Sequence, residues 1–247
     1  MVTSRREKTK NGLAQRASGT LSKQAFTMNI GALEQALLKK YPASDAEDWD
    51  RTGIAVGDPT RAIESVALAL DPTVEAGREA AALGANVLVT HHPTFLEAPS
   101  KFQPAPSSAE IDGAVVWAAV ENGVAVMSYH TALDVSQDAA RALPGMLNLT
   151  FKGIVDPIET SKKKGYGQLC SVRAADAPLT LGQLAARCTS VFGKQPRVWG
   201  DFSKSLSTVV TCTGSAADLP SKCLVLGVDC LVAGEVKYHD ALAASRA

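Results

Sequence analysis

Residues 87–95, VLVTHHPTF, place two of the chain's four histidines side by side at the end of an apolar run. Neutral imidazole is the commonest side-chain metal ligand, so two in succession can serve one ion or straddle a pair. A second apolar run, VAVMSY, also ends in histidine, and His130 is followed four residues later by Asp134. A third, ESVALAL, ends in Asp71 and Pro72. Carboxylates mixed with several imidazoles suit zinc, iron or manganese better than calcium, which takes mostly oxygen ligands. A histidine pair in a solvated turn, bonded only to backbone, would look the same at any single one of these places. What separates the two readings is whether the elements bring all of them together.

The hydrophobic pattern says that they do. Residues 64–70 read as a strand; Thr73 or Asp71 can cap a helix over 74–83, and Gly84 stands where a helix C-terminus prefers glycine. A second strand over 86–89 follows. Ser107 or Ser108 then starts a helix that carries Val115, Val116, Ala119 and Val120 and closes at Gly123, ahead of a third strand over 124–129. Strand, helix, parallel strand crossovers are right-handed, so the three carboxyl ends fall on one edge. Asp71, the pair His91 and His92, and His130 with Asp134 are thereby expected to converge where open α/β sheets bind ligands. Ahead of them, residues 29–40 form an amphipathic helix with Ile30, Leu33, Leu37 and Leu38 on one face. YPASDAEDWDRTGIAVGDP reads as a loop; its acids Asp45, Glu47, Asp48, Asp50 and Asp58 suit the wall of a cation site and a solvated loop equally well.

The second half repeats the pattern weakly. A strand over 207–211, a helix or turn over 216–226 and G-V-D-C-L-V at 227–232 parallel 64–70, 74–83 and G-A-N-V-L-V at 84–89; the two histidines then fall on Gly234 and Glu235. The expected fold is therefore α/β with duplicated α/β units related by pseudo-two-fold symmetry, the first half mostly parallel. Residues 168–173 and 197–199 read as strands around a helix over 181–192, and Lys162 to Lys164 as an exposed turn. The expected organisation is a basic, disordered tail over 1–27, a first α/β half over 28–152 with the metal motifs, and a second half over 153–247. A last helix starts near Val236, and the chain reaches Ala247 inside it.

Composition limits the function classes. Of 247 residues 46% are hydrophobic and 20% charged, with no unbroken apolar run that could span a bilayer, so a membrane protein is not expected. Basic and acidic residues balance at 25 each, but Arg5, Arg6, Lys8, Lys10, Arg16 and Lys23 sit in the tail against Glu7 alone. The body is left acidic, which argues against nucleic-acid binding. The tail has no apolar core of the signal-peptide kind, and Met28 could serve as an alternative start. Five cysteines without C-x-x-C spacing read as reduced thiols in the cytoplasm.

With these residues in hand, the chain resembles the Nif-three-like dinuclear metal-centre family, whose members are labelled GTP cyclohydrolase I type 2 homologues. EDWDRTGIAVGDP, LALDPT, VLVTHHPTF, SYHTALD and AGEVKYHDAL carry the resemblance, in that order. It implies a Nif-three-like fold, a toroidal homohexamer and two divalent metal ions per subunit facing an internal cavity. It also implies that His91 and His92 are metal ligands, that Asp134 bridges both ions, and that His130 lies in the outer shell or touches substrate. Three departures stand out. Arg51 replaces a usual asparagine, Ala132 replaces another, and the chain ends ahead of the G-H-x-x-x-E segment that supplies the remaining ligands, so either the chain is truncated or the site is incomplete. Glu235 and His239, four apart and so one helical turn from each other, are the candidate substitutes. Two functions remain open: a metal-dependent hydrolase of a nucleotide-like or other small molecule, and a non-catalytic metal-binding regulatory or scaffold oligomer. A GTP cyclohydrolase proper rests on the label alone, since no residue argues for guanine recognition and no Gly-rich phosphate loop is present.

Overall fold

The computed structural model describes residues 28–105 and 111–246. Helix α1 (Ile30–Lys40) starts where the Asn29 side chain accepts from the Ala32 amide, and it ends on two lysines that suit the negative end of its dipole. Strand β1 (Gly53–Val56) follows a short 3-10 turn. It lies in the stretch expected to be loop: its four residues are too few for alternation to show, and only pairing with a neighbour defines them. Next come β2 (Val66–Ala69), α2 (Val74–Ala82), β3 (Val87–Thr90), α3 (Ile111–Glu121) and β4 (Ala125–Ser128). Thr73 caps α2 through its hydroxyl, and Gly84 leaves it at a φ of +77°, which a side chain would resist.

The sheet order is β1-β4-β3-β2, with β2, β3 and β4 parallel and β1 antiparallel at the edge beside β4. Both faces of its centre are covered. On one side Leu33 and Leu37 of α1 pack against Val87, Met127 and Tyr129; on the other, Ala80 of α2 and Ala119 of α3 meet Leu88 and Val126. Val87, Leu88, Val126 and Met127 are fully buried, each contributing about 1.5–3 kcal/mol of apolar transfer energy, so β3 and β4 are held firmly in depth and register.

After α4 (Thr131–Asp134) and α5 (Ala139–Met146), the chain enters a second sheet through the hairpin β5 (Thr150–Ile158) and β6 (Ser161–Ser171). The change of sheet thus comes just before the expected division at residue 152. Strand β7 (Leu179–Thr180), α6 (Leu181–Phe192) and β8 (Ser205–Leu206) form a small flank; β9 (Thr208–Ser215), α7 (Leu219–Leu226), β10 (Cys230–Glu235) and α8 (Tyr238–Arg246) complete the described chain. The order is β10-β9-β6-β5, in which only β9 and β10 run parallel. The β9-α7-β10 unit repeats β2-α2-β3, and the strands around it differ.

Two local expectations are corrected. Lys162 to Lys164 belong to β6 and not to a turn, and the Lys164 ammonium pairs with Asp45. Residues 197–199 form no strand; the short strands beside α6 are β7 and β8. The basic tail and the Ser107 or Ser108 cap lie outside the described residues. No helix among the described residues is long and apolar enough to cross a membrane.

Asn86 anchors the entry to β3. Buried, it donates to the Ala62 carbonyl at 2.8 Å and accepts from the Glu64 amide at 2.9 Å. Asn86→Ala leaves both backbone groups unpaired and is expected to cost about 2 kcal/mol or more in chemical denaturation. A loss under about 0.5 kcal/mol, the scale of an ordinary surface change, would show that this clamp is not needed.

Candidate metal centre

The parallel register delivers the histidines. The His91 amide donates to the Ala69 carbonyl at 3.3 Å and the His92 amide to the Leu70 carbonyl at 3.0 Å, so the pair is pinned to the end of β2 as it leaves β3. The Thr90 hydroxyl folds the turn over by donating to the His92 carbonyl at 2.7 Å. From β4 the Tyr129 amide donates to the Thr90 carbonyl, and His130 follows as the residue that enters α4.

The three rings face one another. Their centroids are 5.0 Å apart for His91 and His92, 5.0 Å for His91 and His130, and 5.3 Å for His92 and His130. One ligand nitrogen from each lies within 4.8 Å of the others, a group that could hold a metal ion. In a tetrahedral zinc site with Zn–N near 2.1 Å the nitrogens sit about 3.4 Å apart, so small side-chain rotations would bring these three to bonding distance. The donor set fits a borderline divalent ion.

Asp134 closes the cluster from α4. Its Oδ2 is 3.7 Å from His91 Nε2, and its Oδ1 accepts from the Thr213 hydroxyl of β9 at 3.3 Å. Burial pushes the Asp134 carboxyl above its ordinary pKa, against the pull of His91, His130 and Thr213. Burial likewise pushes His91 below its ordinary value, with His130 and His92 adding to the effect and Asp134 opposing it. The His91 imidazole is thereby biased toward its neutral form, the form that binds metal.

Each ring also has an outer contact. His91 Nδ1 lies 3.2 Å from the Tyr129 carbonyl, His92 Nδ1 2.6 Å from Asp71 Oδ1, and His130 Nδ1 3.4 Å from Asp50 Oδ1. The Asp50 side chain is 0% exposed. It accepts from the Thr131 amide at 2.9 Å, the Thr131 hydroxyl, and the Arg51 amide at 2.7 Å. Burial alone would raise its pKa, but those hydrogen bonds win and hold the carboxyl below its usual range. Trp49 packs edge-on against His130, with centroids 5.7 Å apart.

The second sheet braces this arrangement. Tyr166 of β6 donates to Glu47 at 3.0 Å, and the Glu47 amide donates to the Thr131 hydroxyl at 3.0 Å, so the acidic loop is tied to both α4 and β6. Burial and the Glu47 carboxylate push the Tyr166 phenol up.

The expected convergence of Asp71, His91, His92, His130 and Asp134 is present. His130, which the resemblance puts in the outer shell or against substrate, has its ring 5.0 Å from that of His91 and 5.3 Å from that of His92. Glu235 and His239 do not share a helical turn: Glu235 ends β10, whereas His239 lies in α8 with its ring 5.3 Å from Tyr238. Among the described residues neither belongs to the three-histidine group. Asp50 was visible in the sequence only as one of five loop acids. Its burial against α4 is a tertiary fact with no local signature.

The family model described as Duf34/NIF3 (NGG1p interacting factor 3) matches residues 28–247. A Streptomyces coelicolor protein named "GTP cyclohydrolase 1 type 2 homolog" is 32% identical over 210 residues, covering 83% of this chain and 71% of that protein. A Clostridium acetobutylicum protein of the same name is 29% identical over 201 residues, covering 80% and 72%. Among solved structures, a hypothetical protein of Staphylococcus aureus matches with a TM-score of 0.78 at 23% identity, covering 89% of this chain and 83% of that one. A Bacillus cereus protein related to NIF3 gives a TM-score of 0.78 at 17% identity, covering 88% and 85%. At such identities the structures speak for the fold.

The raised pKa of Asp134 has a stability consequence. A carboxyl whose folded-state pKa lies above its unfolded value favours folding when protonated, and that contribution is lost as pH rises through the folded value. At pH 8 the ionised side chain therefore costs the metal-free fold stability. Asp134→Asn, which keeps an oxygen for Thr213, is expected to raise the Tm of chelator-treated protein by about 1–3 °C. A fall of that size would show that the carboxylate stabilises the empty site.

Proposed function

Because the chain belongs to the Duf34/NIF3 family, we propose that it is a divalent-metal-binding protein whose His91, His92, His130 and Asp134 form a dinuclear centre, and that it hydrolyses a nucleotide-like or other small molecule. The observation that carries this reading is the gathering of three imidazoles, from two different strand ends, around one point with a buried carboxylate beside them. A zinc, iron or manganese ion bound there would act as a Lewis acid and make a water acidic enough to attack near neutral pH. Burial favours the uncharged form of His91, which offers a lone pair. Asp134 has one oxygen near His91 and the other held by Thr213, which orients it as the anion that can stand between two cations and offset their repulsion. A cleft of about 460 Å³ beside His92, lined in part by Thr73, Thr94 and Val115, gives room for a small-molecule substrate.

We read the assembly as a homo-oligomer, the toroidal hexamer of the resemblance. Strand β2 at the sheet edge exposes Leu68 at 80%, and Leu70 just beyond its end is 61% exposed, an apolar stripe that supports self-association.

One observation favours the non-catalytic alternative. Among the described residues, three imidazoles and one carboxylate would fill the tetrahedral sphere of a single ion and leave it no open position, as in structural sites. Turnover separates the two. Protein loaded with zinc or manganese and offered a panel of nucleotides and cyclic nucleotides is expected to hydrolyse at least one, and Asp134→Ala to lose 100-fold or more of that rate. Unchanged turnover in the variant would overturn the hydrolase reading; no turnover on any substrate, with metal shifting the assembled mass in light scattering, would leave the scaffold reading in its place.

A further inference from the structure

The outer contacts of the three rings have one feature in common: in every case the nitrogen engaged is Nδ1. The partners are a backbone carbonyl and two carboxylates, and none of these can donate when ionised. A neutral imidazole beside such an acceptor must carry its proton on that nitrogen, which leaves the lone pair on the other. For His91 the Tyr129 carbonyl admits no alternative. At His130 the conclusion follows from saturation of Asp50. Its other contacts are all hydrogen donors, namely the Thr131 amide, the Thr131 hydroxyl and the Arg51 amide, so the group already behaves as a pure acceptor. For His92 the 2.6 Å separation from Asp71 is a short hydrogen bond to a carboxylate oxygen.

We infer that Asp50 and Asp71 are positioning residues which, with the Tyr129 carbonyl, fix His130, His92 and His91 in the Nδ1–H tautomer and so commit all three Nε2 atoms to the shared centre. The three acceptors come from different parts of the chain: Asp50 from the loop before β1, Asp71 from the end of β2, and Tyr129 from the end of β4. The centre is thus ordered before any ion arrives. A carboxylate partner also raises the basicity of the imidazole it holds, so His92 and His130 should bind an ion more strongly than His91, whose partner is a neutral carbonyl. The affinity consequence rests on the metal-centre reading above; the tautomer assignment does not.

The test uses metal-free, chelator-treated full-length protein at pH 8 and long-range proton–nitrogen correlation spectra of the imidazoles. With only four histidines in the chain the spectrum is readily assigned. His91, His92 and His130 are expected as Nδ1–H, while His239, exposed in α8, shows the Nε2–H form that imidazole favours in water. Asp71 is 57% exposed, so Asp71→Ala should fold normally. It is expected to convert His92 alone to Nε2–H and to weaken zinc binding about 10–100-fold. Asp71→Asn, which retains an acceptor oxygen, should keep the His92 tautomer. Nε2–H at His92 or His130 in the wild type, or a His92 tautomer indifferent to Asp71→Ala, would overturn the inference. The expected tautomers in a wild type that binds no zinc would uphold it and sink the metal-centre reading instead.

Discussion

The parallel register of β2, β3 and β4 is the constraint on which the site depends. Ala69, Thr90 and Ser128 stand side by side as the last residues of their strands. One or two residues beyond that line lie Asp71, His91, His92 and His130. A slip of a single residue in any strand would turn its side chains to the opposite face and carry its histidine away from the others. The register is held by Val87, Leu88, Val126 and Met127, none of which has any chemistry of its own. Burial between helices on both faces therefore sets the chemistry at the edge.

What gathers there is opposed by its own burial. Burial disfavours the charge on Asp134, and it disfavours protonation of His91. A buried carboxyl and a buried imidazole held close together lower the stability of the fold, and a cation bound between them would offset that cost. The outer carboxylates work in the opposite sense. Asp50, satisfied by backbone and hydroxyl donors, is a fixed negative point inside the fold, and the loop that carries it is braced from the second sheet through Glu47 and Tyr166. The second half thus contributes to the centre without supplying a histidine: Thr213 orients Asp134, and β6 anchors the loop that holds Asp50.

Much of this was legible in the sequence because it is written in local patterns. Thr73 and Gly84 bound α2 as capping rules demand, and α6 runs over the residues its periodicity marks, with Thr180 and Gln183 forming a capping box. Three apolar runs ending in Asp or His were enough to foresee the convergence. Strand β1 escaped because GIAV is too short for alternation and gains its identity only from β4. The end of β6 lies in the strand expected over 168–173, but β5 and the start of β6 escaped because Gly153, Pro157 and three lysines break the apolar alternation that marks a strand. The His130–Asp50 contact and the burial of Asp50 both depend on how the acidic loop docks on α4, a contact between residues some eighty positions apart that no spacing reveals.

The measurement that bears most directly on the account is the metal content per chain after zinc loading and exhaustive desalting, compared with a His91→Ala, His92→Ala double variant. The account predicts at least one tightly held ion per chain in the wild type and close to none in the variant. Equal metal in both, or a wild type that retains none, would contradict the assignment of this cluster as a metal centre.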